Sequence, residues 1–450
     1  MTAPARTAAY HALRAVTSGR ADLPTALHVS RQQLSDERDR SLAAEIVTGA
    51  LRWQRSLDHL IEHFAQRRLA KLDVEVVTIL RLSLYQILHL DRVPASAIVD
   101  DAVTLTRAAR KPSASGFVNA VLRSTLRQRH QLPLPARPLD IADREAALAY
   151  LGITHSHPAW LVARWLDRYG FDAVERWVQF NNATPPLTLR VNRLRVTREE
   201  AMAALAADRV ETEPARYAPD GLVVSGGNPL RRPADGTVFV QDEASQLVSL
   251  VVDAQPQSRV LDLCASPGGK TIAMAADMGS TGRIVATDVR SRRLALLRET
   301  IGSSGATNVA VVRVATTGSL PFAAHFDRVL VDAPCSGLGT VRRDPDIRWR
   351  RREEELAGLA RDQIALLMRA SQVVRDGGGR LIYATCSSEP EENDGVVDAF
   401  LDARNDFTRL DLRHHGHRLL APFIDERGQF RTSPATHGLE AFFAAALIRA

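Results

Sequence analysis

Apolar residues recur at three- and four-residue steps through most of the first 130 positions, as they must where a helix buries one face. Segments 40–51 and 76–88 show the pattern clearly, with Leu42, Ile46, Val47 and Leu51 in the first and Val76, Ile79, Leu80 and Leu84 in the second. Pro94 interrupts it, and Ser115 and Gly116 open a further helix carrying Phe117, Val121 and Leu122. The pattern predicts an all-α domain over 1–130. Pro133, Pro135 and Pro138 then give the chain the proline density of a linker, expected over 131–158, because proline cannot donate within a helix and keeps the backbone extended.

A mixed stretch follows over 159–238, helical around 160–180, strand-like at 187–192 and helical again near 199–206, which predicts a small α/β subdomain. Trp160, Trp165 and Trp177 sit within the helical apolar pattern and are expected to pack, not to stack on bases. From 239 the period changes. Short apolar runs at 260–263, 284–287, 309–314, 328–331, 380–384 and 442–448 alternate with helical stretches, the mark of a largely parallel sheet covered on both faces. The expected third part, 239–450, is a doubly wound α/β domain.

Composition narrows the partner classes. No run of about eighteen apolar residues occurs and the first residues lack an apolar leader, so a soluble, cytoplasmic, monomeric protein is expected. A formal charge of +6 suits a polyanion. Lys71, Lys111 and Lys270 are the only lysines, so the positive charge is nearly all arginine; codon bias explains that, and arginine's planar fork also suits phosphates and stacked bases.

Lys270 lies in a glycine-rich loop, Cys264-Ala265-Ser266-Pro267-Gly268-Gly269-Lys270-Thr271, between a strand and a helix. Glycines let the backbone approach a ligand, and the helix start offers free N–H groups. One reading is a phosphate-binding NTPase loop, with the strand ending at Asp332 as the acidic magnesium strand. Against it, Cys264 stands where that loop needs its first glycine. The other reading is an adenosyl-cofactor site, in which Asp288, about twenty residues past the glycines, accepts hydrogen bonds from ribose. Asp288 also suits a helix cap, and the two roles are compatible.

The chain has three cysteines, Cys264, Cys335 and Cys386, each at a predicted strand exit. Neighbouring fourth and fifth strands would bring Cys335 and Cys386 face to face across the cofactor cleft, on exposed loops where nearby positive charge lowers a thiol pKa. A cofactor, a thiol and an acid together suit methylation of cytosine carbon five. That carbon is a poor nucleophile until a thiolate adds to carbon six and an acid assists at the ring nitrogen. Downstream, Arg342, Arg343, Arg348 and Trp349 fall in an arginine run that reads either as phosphate contacts beside an extruded base or as a solvated loop. Two histidine groups, His155 with His157 and His414 with His417, lack partners at ligand spacing, so no metal is expected.

At these residues the chain resembles the Nol/Nop/Sun family of RNA cytosine carbon-five methyltransferases. The likeness lies in the loop 261–271, in 332–349 (Asp-Ala-Pro-Cys-Ser-Gly onward) and in 383–393 (Tyr-Ala-Thr-Cys-Ser-Ser-Glu-Pro-Glu-Glu-Asn). Residues 84–88 and 116–123 resemble the NusB-like domain at the front of the bacterial RsmB/Sun type, and the likeness continues through 157–161, 189–192 and 240–246. The resemblance implies a NusB-like RNA-binding domain joined to a Rossmann-like methyltransferase domain, with 16S ribosomal RNA as partner. It further implies S-adenosylmethionine held by Cys264 through Lys270, Asp288 and Asp332; Cys386 as nucleophile; Cys335 assisting product release; and Asp332 contacting the base. Ala315 stands where the family places an acid near the adenine, which predicts weaker cofactor binding. Residues 438–443 also depart from the family's Asp-Gly-Phe-Phe, a difference of packing. The alternative is a non-catalytic RNA-binding or assembly factor in which the α/β domain is a platform.

Overall fold

The computed structural model describes residues 2–231, 235–322 and 325–450. The chain divides into two compact units, one of residues 1–184 with 341–353, the other of 185–340 with 354–450.

The first unit is helical: α1 (Pro4–Thr17), α2 (Leu23–Gln32), α3 (Glu37–Arg52), α4 (Gln54–Ala65), α5 (Val74–His89), α6 (Ala95–Ala108), α7 (Ser115–Gln128), α8 (Arg144–Ala149), α9 (Ala159–Tyr169) and α10 (Phe171–Asn182). The apolar stripes of α1, α3, α4, α5 and α7 meet in one core around Leu13, Ile46, Leu60, Ile79 and Val118. Gly49 is required there, because a Cβ at that position would fall 1.9 Å from the Tyr85 ring. The unit does not stop at the proline-rich stretch. The Pro133 and Pro135 carbonyls accept hydrogen bonds from His59 (2.9 Å) and Thr154 (2.6 Å), and Leu132 and Leu134 pack on the core. Proline cannot donate, yet its carbonyl still accepts, so the segment is tied down. Gly170 splits the expected 160–180 helix into α9 and α10, and Trp165 is fully buried against Trp177 at 4.9 Å between ring centroids.

The second unit begins with a four-stranded antiparallel sheet, β1 (Thr188–Val191), β2 (Glu211–Pro214), β3 (Gly221–Gly226) and β4 (Val238–Val240), in the order β2-β3-β1-β4, with α11 (Arg198–Ala207) packed on it. After α12 (Glu243–Val252) come β5 (Arg259–Asp262), α13 (Gly269–Asp277), β6 (Arg283–Asp288), α14 (Ser291–Ser304), β7 (Val309–Arg313) and β8 (Arg328–Asp332). The chain then supplies α15 (Ile347–Arg350) to the first unit, and returns for α16 (Leu356–Ser371), β9 (Arg380–Thr385), α17 (Asp394–Ala403), β10 (Phe407–Leu410), β11 (Phe430–Arg431) and β12 (Phe443–Arg449).

Strand order is β10-β12-β9-β8-β5-β6-β7, parallel from β7 to β9 and antiparallel at β12 and β10. Alternate residues enter the two cores. Val260, Leu330 and Ile382 face α12 and α13, whereas Leu261, Val329, Val331 and Tyr383 face α16 and α17. The chain moves outward from β5 to β7 and then crosses back to β8 on the other side of β5. That reversal opens a crevice at the carboxyl ends of β5 and β8, where doubly wound sheets bind ligands.

Candidate active site

The crevice is lined by four strand exits. At β5, Gly268 adopts φ +110° and passes so close to α14 that a Cβ would lie 2.9 Å from a Leu297 methyl. Only glycine turns the loop there without strain. Gly269 starts α13, presenting helix-terminal N–H groups toward the crevice, and buried Arg190 from β1 donates to its carbonyl. Asp262, at the end of β5, is 1% exposed. It accepts a 2.6 Å hydrogen bond from Thr271 Oγ1, while its other oxygen has no partner. Burial pushes its carboxyl up to about 7. Burial likewise raises the Cys264 thiol, the nearby carboxylates adding to the effect.

Asp288 ends β6 almost fully buried. One oxygen accepts from the Arg290 N–H at 2.9 Å, the turn-capping role, and the other lies 3.8 Å from Arg293. Ala315, two residues past β7, is exposed.

At β8 and β9 the chemistry converges. Lys270 Nζ and Asp332 Oδ2 form an ion pair at 2.7 Å. Burial works against the ammonium, but the charge and hydrogen bond of Asp332 outweigh it and hold Lys270 above its ordinary value, with Cys386 among the lesser contributors. Parallel pairing of β8 with β9, prolonged by the Ala333 N–H to the Ala384 carbonyl (2.8 Å), sets the next residues side by side. Cys335 and Cys386 Sγ atoms are 3.3 Å apart. Cys335 and Cys386 are half-buried, Pro334 beside them is exposed, and the residues that follow the two thiols, Ser336 and Ser387, are 1% and 2% exposed. The hydrogen bond to Cys386, then burial, raises Cys335 well above the usual thiol range.

Beneath the thiols lies a polar layer not anticipated from the sequence. Glu392 is fully buried and bonds to Ser336, Ser387 and Gln363. Tyr383 donates to the Glu392 carbonyl at 2.6 Å, its hydroxyl lying 3.1 Å from Gln363 Oε1, and Asn393 accepts from Thr385. Five of these residues, Tyr383, Thr385, Ser387, Glu392 and Asn393, stand within 383–393, so their proximity to Cys386 was the available signal.

The arginine run departs from expectation. Arg348 is fully buried in the first unit, donating to the Ser156, Asn181 and Val341 carbonyls and to Asn182 Oδ1 at 3.0–3.3 Å, and burial lowers its pKa to about 9. Trp349 Nε1 donates to the Leu51 carbonyl at 2.6 Å. Arg342 lies over the Phe180 ring and donates to the Ala183 and Thr184 carbonyls. Arg348 cannot meet RNA, because it is enclosed, and Trp349 and Arg342 are engaged in packing; Arg343 is half-buried. Among the described residues no group of three or more metal-ligating side chains occurs, and no helix is long and apolar enough to cross a membrane.

A sheet that reverses between β5 and β8, a glycine loop on one side and paired thiols on the other, joined to a helical unit, defines a Rossmann-like methyltransferase with a NusB-type amino-terminal domain. Three family models match in succession: the NusB family over 3–127, the ferredoxin-like domain of RsmF/B-like methyltransferases over 157–231, and 16S rRNA methyltransferase RsmB/F over 249–448. The chain is 33% identical to a probable ribosomal RNA small subunit methyltransferase B of Bacillus subtilis, over 92% of this chain and 91% of that one. It is 35% identical to ribosomal RNA small subunit methyltransferase B of Pseudomonas putida, over 92% and 94%. Among solved structures it is similar to PH0851 (TM-score 0.80, 26% identity, 99% of both chains) and to a methyltransferase homologue from Pyrococcus horikoshii (TM-score 0.57, 26% identity, 68% of this chain and 99% of that one). The chain belongs to the ribosomal RNA small subunit methyltransferase B family. The NTPase reading of the glycine loop is thereby set aside.

Proposed function

We propose that the protein methylates carbon five of a cytosine in 16S ribosomal RNA, with S-adenosylmethionine as donor and Cys386 as covalent nucleophile. The observation that carries this reading is the 3.3 Å approach of Cys335 and Cys386 next to the Lys270–Asp332 ion pair. A methyltransferase acting on an oxygen or an exocyclic nitrogen needs no thiol, and still less two.

The crevice suits the cofactor. The tight turn at Gly268, the start of α13 and the buried carboxylate of Asp288 match a polar, adenosyl-bearing ligand. Cys264 through Lys270, Asp288 and Asp332 would hold it. Bound there, S-adenosylmethionine supplies an electrophilic methyl group.

The chain's own residues do the rest. Cys386 sulfur bonds to ring carbon six, and the displaced electron pair makes carbon five nucleophilic. Asp332, paired with Lys270, accepts hydrogen bonds from the base and holds ring nitrogen three as it takes up the proton that Cys386 gives up, which neutralises the negative charge that the sulfur pushes into the ring. Cys335 is raised chiefly by its hydrogen bond to Cys386. Once Cys386 is bonded to carbon that influence falls away, so Cys335 can release its own proton to solvent and, as a thiolate, take the carbon-five proton. Loss of that proton returns the electron pair, breaks the sulfur–carbon bond and frees Cys386.

The NusB-like unit would bring RNA to this site. Incubation with tritiated S-adenosylmethionine and unmodified small-subunit RNA tests the reading. Label should enter cytosine carbon five and be lost in Cys386→Ala; no incorporation with any small-subunit RNA would leave the chain as a binding platform.

A further inference from the structure

Glu392 belongs to neither the cofactor loop nor the thiol pair, yet it is the group that joins the two thiol loops. The short turn Pro390–Glu392 folds it back beneath Cys386. Its Oε1 accepts from the Ser336 N–H at 2.7 Å and from Gln363 Nε2 at 2.9 Å. Its Oε2 accepts from Ser387 Oγ at 2.5 Å. Ser336 follows Cys335, and Ser387 follows Cys386. On the other flank of Cys335, Gln363 also donates to the Pro334 carbonyl at 3.0 Å. One carboxylate thus bonds to a residue adjacent to each sulfur, and through Gln363 to a third.

The carboxylate is 0% exposed, and no arginine or lysine pairs with it among the described residues. Burying such a group is costly unless hydrogen bonds replace its water, and here three donors do so. A fold that needed only packing at this point would place an apolar residue there more cheaply. The bonds converge on two loops that carry reactive atoms, which argues for geometry as the return on that cost.

We propose that Glu392 is a positioning residue that clamps the Cys335 and Cys386 loops in register and thereby fixes the sulfur–sulfur approach. Its part in methyl transfer rests on the covalent-thiol reading above; the clamp itself does not.

The experiment uses the full chain and the diazene oxidant diamide, which takes up two hydrogen atoms as two thiols become a disulfide. Peptide mass spectrometry follows formation of the Cys335–Cys386 bond, and calorimetry with S-adenosylmethionine checks the neighbouring loop. Glu392→Ala should couple the thiols at least ~10-fold more slowly while binding the cofactor within ~2-fold of wild type. Glu392→Gln, which keeps side-chain length and an acceptor, should stay within ~3-fold. Ser387→Ala, which cuts only the Cys386 side, should be slowed ~3-fold and guards against misfolding of the first variant. Coupling as fast as wild type in both Glu392→Ala and Ser387→Ala overturns the clamp. In methylation assays kcat should fall with little change in KM for RNA. Slowed coupling with no Cys386-dependent methylation in the wild type would keep the clamp and sink the covalent-thiol reading instead.

Discussion

Asp262 offers a test in which the size of the effect follows from the structure. Its folded-state carboxyl titrates at about 7, raised by burial and further by Asp332 against the opposing Thr271 hydrogen bond and Lys270. In the unfolded chain it titrates near 3.9. Between those values the native state holds a proton that the unfolded state has released, so stability falls as pH rises from about 4 to about 7 and is level above. At 1.36 kcal/mol per unit, the stability lost through this difference reaches roughly 4 kcal/mol at pH 8 and only between about 1 and 2 kcal/mol at pH 5. Asp262→Asn removes that loss, and its carbonyl can still accept from Thr271. The variant should therefore be stabilised more at pH 8 than at pH 5, by a difference of the order of 2–3 kcal/mol. Tryptophan fluorescence would report the wrong unit, because Trp53, Trp160, Trp165, Trp177 and Trp349 all lie in the helical one. Amide exchange of β5, β8 and β9 across a urea series reads the correct one. Equal stabilisation at both pH values would refute the argument.

Two further outcomes follow from the site. Cys335→Ala should accumulate a covalent protein–RNA adduct, visible as a slowly migrating band in a denaturing gel; absence of the band would remove its role in release. Ala315→Asp, at the exposed position after β7, should tighten S-adenosylmethionine binding by about 1 kcal/mol, the worth of one added hydrogen bond, and unchanged calorimetric affinity would contradict it.

Much of the methyltransferase domain was legible because its signals are local. The six apolar runs from 260 onward became strands within one or two residues of their expected ends, and adjacency of the fourth and fifth of them sufficed to bring the two thiols together. The antiparallel setting of β12, and strands β10 and β11, were not foreseen, since short apolar runs carry no direction. Features that depend on tertiary enclosure were hidden. Arg348 reads as a surface charge, and only the fold encloses it among carbonyls 166 to 192 positions away. Glu392 is the same case with the opposite charge: its partners Gln363 and Ser336 lie 29 and 56 positions away, so nothing in the local pattern marks it as buried. At 131–138 the backbone stiffness of the prolines was visible in the sequence, whereas the hydrogen bonds that their carbonyls accept from His59 and Thr154 were not.

The account depends above all on which atom of the protein bonds to the RNA base. Digestion of the Cys335→Ala adduct, followed by peptide mass spectrometry, locates that atom directly. A methylated cytidine attached to the peptide containing Cys386 is the predicted result. A nucleotide carried by any other residue, or methyl found on cytosine nitrogen with Cys386 unmodified, would contradict it.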